Sequence, residues 1–315
     1  MKLHQNPEDF TNLAILAADF IGVPEQAARR DYFIVLMLQH LEQSDMSERC
    51  VFKGGTSLSK CYPGSINRFS EDIDLTFIPD ADLNNKQYDK ALKKIEAIMS
   101  EDANIEKIPE ERNDRNKSAW VWFKDEDKDS TKIKLEIGSS VRPDPFVRKT
   151  LKSYIQEYLE NKGLYDVIGE YELLPVTVNT LCIERTFIDK VMAVKRHAIC
   201  GTLSRKVRHI YDINKLYALP EIQTFLTDKD TLHELIEKTK STDSFYLKKR
   251  NIKKDYDPTG AYDFESWKTY FDDNAIKTRY EHLHEDLLYT CEQQDFNQAI
   301  RVFEEISRIF SEINE

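Results

Sequence analysis

Apolar residues recur every third or fourth position over 8–21 and 25–43, which predicts two amphipathic helices. In the second, Tyr32, Phe33, Val35, Leu36, Leu38 and Leu41 carry the period, and Pro24 stands at its start, where a missing N–H costs little. The period then changes. Cys50-Val51-Phe52 is a short apolar strand candidate running into Gly54-Gly55, and residues 56–61 predict a short helix that ends near Pro63-Gly64. Residues 72–78 are rich in β-branched and aromatic types and predict a strand stopped by Pro79-Asp80. A charged amphipathic helix is expected over 87–100. Two strands, 118–123 and 131–137, flank a polar, acidic stretch and predict a hairpin. Pro143-Asp144-Pro145 interrupts the pattern, after which a helix is expected over about 147–159 and a short strand over 174–178.

From Leu181 onward the pattern is almost wholly helical, with candidates at 182–199, 205–218, 229–240, 264–288 (one helix or a broken one) and 293–313. The expected class is therefore α+β: a mixed sheet with flanking helices over 1–180, followed by a helical bundle over 181–315.

Composition narrows the function classes. The chain has 315 residues, of which 40% are hydrophobic and 32% charged, so it is a charge-rich globular protein with room for two domains. A net charge of -11 repels a polyanion as a whole, so any nucleic-acid contact needs a local basic patch. The five cysteines, Cys50, Cys61, Cys182, Cys200 and Cys291, are odd in number and lack zinc-type spacing. They read as reduced thiols of an intracellular protein. The N-terminus lacks the apolar run of a signal peptide, and no stretch reaches the roughly 18–20 apolar residues of a membrane span. The expected location is the cytoplasm.

Candidate chemistry begins in Arg68-Phe69-Ser70-Glu71-Asp72-Ile73-Asp74-Leu75-Thr76-Phe77. Side chains alternate on a strand, so Asp72, Asp74 and Thr76 share one face while Ile73, Leu75 and Phe77 share the other. Two carboxylates about 7 Å apart at Cα repel each other, and a divalent cation is the usual compensation. A solvated strand face is the plainer alternative. Lys53-Gly54-Gly55-Thr56-Ser57-Leu58-Ser59-Lys60 is a strand–glycine–helix junction. Its glycines let backbone approach an anion, the helix N-terminus offers free N–H groups, and the hydroxyls of Thr56 and Ser57 can donate. The spacing is not that of a Walker A loop. Taken alone, the segment could be a capped turn.

Phe52-Lys53-Gly54-Gly55-Thr56-Ser57-Leu58-Ser59-Lys60, followed by Arg68-Phe69-Ser70-Glu71-Asp72-Ile73-Asp74, resembles the signature of the AbiEii/AbiGii toxin family. That family includes the MenT toxins and belongs to the DNA polymerase β-like nucleotidyltransferase superfamily. The resemblance implies that Gly55, Thr56 and Ser57 hold a triphosphate, with Lys53, Gly54 and Lys60 in the same nucleotide-binding segment. It implies that Asp72 and Asp74 bind a catalytic Mg²⁺. The superfamily's third carboxylate is expected at Glu136, which shares a strand face with Lys134. Many relatives carry Asp there, and a surface Lys/Glu face is the alternative.

Glu184-Arg185-Thr186-Phe187-Ile188-Asp189-Lys190 and Arg208-His209-Ile210-Tyr211-Asp212-Ile213 resemble two further blocks of the family. They imply that Lys190 contacts nucleotide phosphate and that Asp212 is an essential polar residue near it. From the residues alone, Lys190 sits beside the stripe Ile183, Phe187, Val191, Val194, and either reaches inward or snorkels to solvent. Asp212 could instead pair with Arg208 or Lys190 as a packing residue.

Lys195, Arg196, His197, Arg205, Lys206, Arg208 and His209 form the densest basic segment. A second run, Lys248, Lys249, Arg250, Lys253 and Lys254, is interleaved with Phe245, Tyr246 and Tyr256. Basic residues with aromatics can hold an RNA backbone and stack bases, or they are simply solvated clusters. The expected activity is transfer of a nucleoside monophosphate from an NTP to an RNA, with a tRNA 3′ end implied by the relatives. This would arrest growth in a toxin–antitoxin or phage-defence (abortive infection) system that has a cognate antitoxin. The alternative acceptor is a protein or small-molecule hydroxyl. A catalytically inert nucleotide-sensing module is a third possibility, against which the joint presence of Asp72, Asp74, Gly55, Lys190 and Asp212 stands.

Overall fold

The computed structural model describes residues 1–123, 126–247, 256–286, 288 and 293–313. The basic run at 248–254 and Cys291 lie outside these residues, as do the side chains of Phe245 and Tyr246. Two compact units make up the chain. The first comprises Met1–Cys61 and Phe69–Leu181, the second Tyr62–Arg68 and Cys182–Glu315. The expectation assigned all of 1–180 to one domain; the short segment Tyr62–Arg68 instead packs with the C-terminal unit.

The first unit opens with α1 (Pro7–Ile21), whose start is set by the Asn6 side chain accepting from the Asp9 N–H and by Pro7 in the first turn. It closes at Gly22, φ 81°. Next comes α2 (Glu25–Glu42), buried on nearly every face from Asp31 to Leu41. The strands are β1 (Cys50–Lys53), β2 (Asp72–Phe77), β3 (Ala103–Lys107), β4 (Asn116–Phe123), β5 (Ile133–Gly138), β6 (Phe146–Leu151) and β7 (Val176–Leu181). Between them lie α3 (Gly54–Cys61), α4 (Asn85–Met99), α5 (Lys128–Thr131), α6 (Tyr154–Asn161) and α7 (Tyr165–Glu170). The seven strands among the described residues join one sheet in the order β3-β4-β5-β2-β1-β7-β6. It is mixed: β2 runs parallel to β5 and β1 parallel to β7, while the other neighbours are antiparallel.

The helix expected over 147–159 is half wrong. Phe146–Leu151 is a strand paired along its length with β7, and the helix begins only after Ser153, whose side chain caps it by accepting from the Gln156 N–H. Apolar residues there fit both periods, and pairing with β7 selects the strand.

The second unit is helical among its described residues: α8 (Ile183–Ile199), α9 (Val207–Tyr217), α10 (Pro220–Thr227), α11 (Lys229–Leu247), α12 (Asn274–Glu281), α13 (Leu283–Asp286) and α14 (Phe296–Ser311). The helix expected over 264–288 is instead two 3-10 turns, Phe264–Ser266 and Lys268–Asp272, followed by α12 and α13. These turns drive Phe264, Trp267 and Phe271 against Phe303 of α14 in an aromatic core, and Asp273 then caps α12. No helix among the described residues is long and apolar enough to cross a membrane. Cys50 and Cys61 are buried free thiols.

Candidate active site

Burial of Val51 and Phe52 forces β1 into the sheet interior between β2 and β7, and the chain leaves it at a single sharp position. Gly54 has φ +87°, a left-handed conformation that side chains oppose. It is also crowded: a Cβ there would stand 2.2 Å from Asp74 Oδ2. Only glycine satisfies both conditions. The Asp74 carboxylate therefore lies against the glycine turn, as the alternation of β2 requires, while Ile73 and Leu75 are buried on the opposite face.

Sheet register brings the other candidates alongside. Lys53 is the cross-strand partner of Asp74, Asp74 of Glu136, and Asp72 of Lys134. Neighbouring strands are about 4.8 Å apart, so these residues form one polar patch over an apolar sheet. Within it, Lys134 Nζ lies 2.6 Å from Glu136 Oε1 and 2.8 Å from Glu111 Oε2. Partial burial opposes the Lys134 charge, but the two carboxylates outweigh it and raise its pKa above the ordinary lysine value.

The expected ligand set Asp72, Asp74 and Glu136 is not gathered as a trio. Among the described residues no three acidic, histidine or cysteine side chains stand as a metal-holding group, and Glu136 is drawn to Lys134. Asp72 and Asp74 nonetheless fit a hard cation: both offer carboxylate oxygens and both are half-exposed.

The nucleotide-binding expectation needs correction at three side chains. Thr56 is buried, its hydroxyl donating to the Asp72 carbonyl and lying 3.0 Å from the Ser70 hydroxyl, from which it can accept. Ser57 is buried and donates to the Gly54 carbonyl at 3.0 Å. Both hydroxyls tie α3 to its surroundings, so what α3 can offer a phosphate is the backbone N–H groups of its first turn. Lys60 faces inward. Its Nζ lies 2.6 Å from Asp31 Oδ1 and 4.0 Å from the Tyr154 ring centre, with Glu157 at 3.9 Å. Asp31 also accepts the Tyr154 N–H at 2.7 Å. Six residues beyond Gly54, Lys60 sits on the core side of α3, where it pins that helix to α2 and α6.

In the second unit, α8 and α9 pack against each other and bring Lys190 to Asp212, Nζ to Oδ2 2.8 Å. Arg68 grips the same carboxylate through two parallel bonds, Nε to Oδ1 2.7 Å and Nη2 to Oδ2 2.8 Å. All three are buried. Burial alone would raise the Asp212 carboxyl, but Arg68 and Lys190 outweigh it and hold it well below the usual carboxylate range. Lys190 thus reaches inward and does not snorkel. Arg68 carried no assigned role in the sequence; its only signal was a cation four residues before Asp72 inside the motif.

The basic segment is depleted. Lys195 is buried and donates to the Ala261 carbonyl at 2.7 Å, and Arg196 pairs with Asp243 at 3.0 Å. Tyr256 is buried and offers no stacking platform. Arg205 and Lys206 are exposed and Arg208 half-exposed.

A mixed sheet with paired acids beside a glycine turn, followed by a helical unit carrying a buried lysine–aspartate couple, fits a nucleotidyltransferase. More specifically, the chain belongs to the AbiEii nucleotidyl transferase toxin family of type IV toxin–antitoxin systems, whose model matches residues 36–302. Among solved structures it is similar to MenT4, a nucleotidyltransferase toxin from Mycobacterium tuberculosis H37Rv, with 18% identity, a TM-score of 0.50, and coverage of 95% of this chain and 98% of that one. That likeness shows a shared fold. JHP933 from Helicobacter pylori matches at 15% identity and a TM-score of 0.39, covering 92% of this chain and 97% of that one. No curated protein matches. Membership implies a nucleoside triphosphate substrate and an antitoxin partner.

Proposed function

We propose that this toxin transfers a nucleoside monophosphate from an NTP to the 3′ end of a tRNA in a Mg²⁺-dependent reaction that arrests growth. The single observation that carries the reading is the Asp74 carboxylate lodged against Gly54, which puts a hard oxygen ligand beside the first turn of α3. Magnesium, when bound, supplies positive charge against the triphosphate. Asp72 and Asp74 would hold it. The backbone N–H groups of Gly55, Thr56 and Ser57 bind phosphate oxygens. Lys190, kept in place by an ionised Asp212, adds a fixed positive charge for the phosphates. The acceptor hydroxyl oxygen forms a bond to the α-phosphorus, the bond to the β-phosphate oxygen breaks, and pyrophosphate leaves. The hydroxyl proton passes to a carboxylate, and the pairing of Glu136 with Asp74 across neighbouring strands supports Glu136 in that role. Arg205, Lys206 and Arg208 supply cations for the RNA backbone.

A protein or small-molecule hydroxyl is the second reading. It is favoured by the net charge of -11 and by the engagement of Lys195 and Arg196 inside the fold. Incubation with each labelled NTP, total tRNA and total protein separates the two. Label on tRNA 3′ ends is expected, absent with Asp72→Asn or Asp74→Asn proteins that melt like the wild type. Label on protein alone would move the assignment to the second reading, and turnover by either variant would remove the two aspartates from the metal site.

A further inference from the structure

We infer that Arg68 is a positioning residue for nucleotide binding, acting through Asp212 on Lys190. The inference rests on the reading that Lys190 binds the nucleotide.

A flexible lysine is a poor fixed charge, because its ammonium sits on a four-carbon stem with many rotamers. Lys190 has lost that freedom. It is buried, and its Nζ lies 2.8 Å from Asp212 Oδ2. Its placement therefore depends on that of Asp212. One monodentate contact leaves a carboxylate free to rotate about its terminal bond, so Lys190 alone does not set the carboxylate plane. Arg68 does. Its planar guanidinium meets both oxygens in parallel, at 2.7 and 2.8 Å, which fixes the plane and the direction of the lone pairs. The two cations divide the carboxylate, with Arg68 taking both oxygens and Lys190 sharing Oδ2.

Arg68 is itself anchored. It belongs to the short segment Tyr62–Arg68 that packs with the helical unit, its backbone forms an isolated bridge with Leu288, and the neighbouring Asn67 carbonyl accepts from Tyr211 Oη at 3.5 Å. The arginine therefore arrives at α9 on a held stretch of backbone. Lysine at this position keeps the charge but cannot form the two-point contact.

The test is direct nucleotide binding, measured by titration calorimetry with Mg·NTP and without RNA, on Arg68→Met, Arg68→Lys, Lys190→Ala and the double variant Arg68→Met/Lys190→Ala, with melting temperatures for each. Lys190→Ala is expected to weaken binding about tenfold, and Arg68→Met by a comparable factor. The double variant should bind no more weakly than Lys190→Ala, because both changes remove the same contact. Arg68→Lys should melt close to the wild type yet bind several-fold more weakly, a loss that a purely structural role would not produce. Additive losses in the double variant, or wild-type affinity in a folded Arg68→Lys or Arg68→Met protein while Lys190→Ala is weakened, would overturn the role of Arg68. Wild-type affinity in Lys190→Ala would instead defeat the underlying assignment of Lys190, so the two failures are distinct.

Discussion

Replacing Gly54 by alanine tests the geometry on which the proposed chemistry depends. The added Cβ would lie 2.2 Å from Asp74 Oδ2, whereas real contacts of this kind do not fall under 3.0 Å, so the carboxylate must retreat by about 0.8 Å. The retreat is taken up by rotation of a short side chain, and it moves a metal-binding oxygen. A misplacement of about 1 Å costs on the order of a hundredfold in rate. Stability changes for a separate reason. Alanine at φ +87° costs about 1–2 kcal/mol, or roughly 2–8 °C in melting temperature for a unit of this size. Gly163 supplies the control. It lies in the same unit with φ +71°, and a Cβ there meets nothing within 4 Å. Gly163→Ala should match the loss in melting temperature and leave transfer unchanged. The assay is transfer rate at saturating NTP beside calorimetric melting for both variants. A Gly54→Ala enzyme with the rate of Gly163→Ala would refute the placement of Asp74 as a working ligand.

Two further outcomes follow from buried ionisable groups. Lys60→Met strands Asp31, which is 2% exposed, and breaking a buried pair of this kind costs about 3–5 kcal/mol. Burial already raises the Asp31 carboxyl, and protonation after the change will recover part of that cost. The variant should melt lower with unchanged nucleotide affinity; weaker affinity at an unchanged melting temperature would return Lys60 to the binding site. His197 is depressed from 6.5 to about 4, first by burial and then by Arg196 and Lys206. Below pH 6.5 the unfolded chain takes up a proton that the folded one refuses, so stability falls as pH drops from 6.5 towards 4. Given the partial exposure of this ring, the contribution is about 1–2 kcal/mol. His209, depressed in the same direction, adds to the wild-type slope, so the measurement is the difference from His197→Gln in denaturant titrations across that window. Identical slopes would show that the ring does not titrate as its surroundings require.

Local pattern alone set the orientation of the acids. Alternation separates Asp72 and Asp74 from Ile73 and Leu75 because a pleated backbone has a period of two, and the half-exposed and buried positions follow it over 72–75, whereas Thr76, on the acidic face, is buried. The need for glycine was also legible, as a strand ending in Gly54-Gly55 before a helix. What periodicity reports is which face a residue occupies, never which distant group it meets there. Arg68 and Asp212 are 144 residues apart, and only the packing of α9 against the returning segment pairs them. Lys60 and Lys195 read from the chain as cations for phosphate and RNA, yet Asp31 and the Ala261 carbonyl, also remote in sequence, satisfy them inside the fold. The strand at Phe146–Leu151 was hidden for the same reason: its residues suit either period, and the partner edge of β7 makes the choice. Charge and period are properties of the chain, whereas the partner of a buried charge or of an edge strand exists only once the tertiary fold has brought it near.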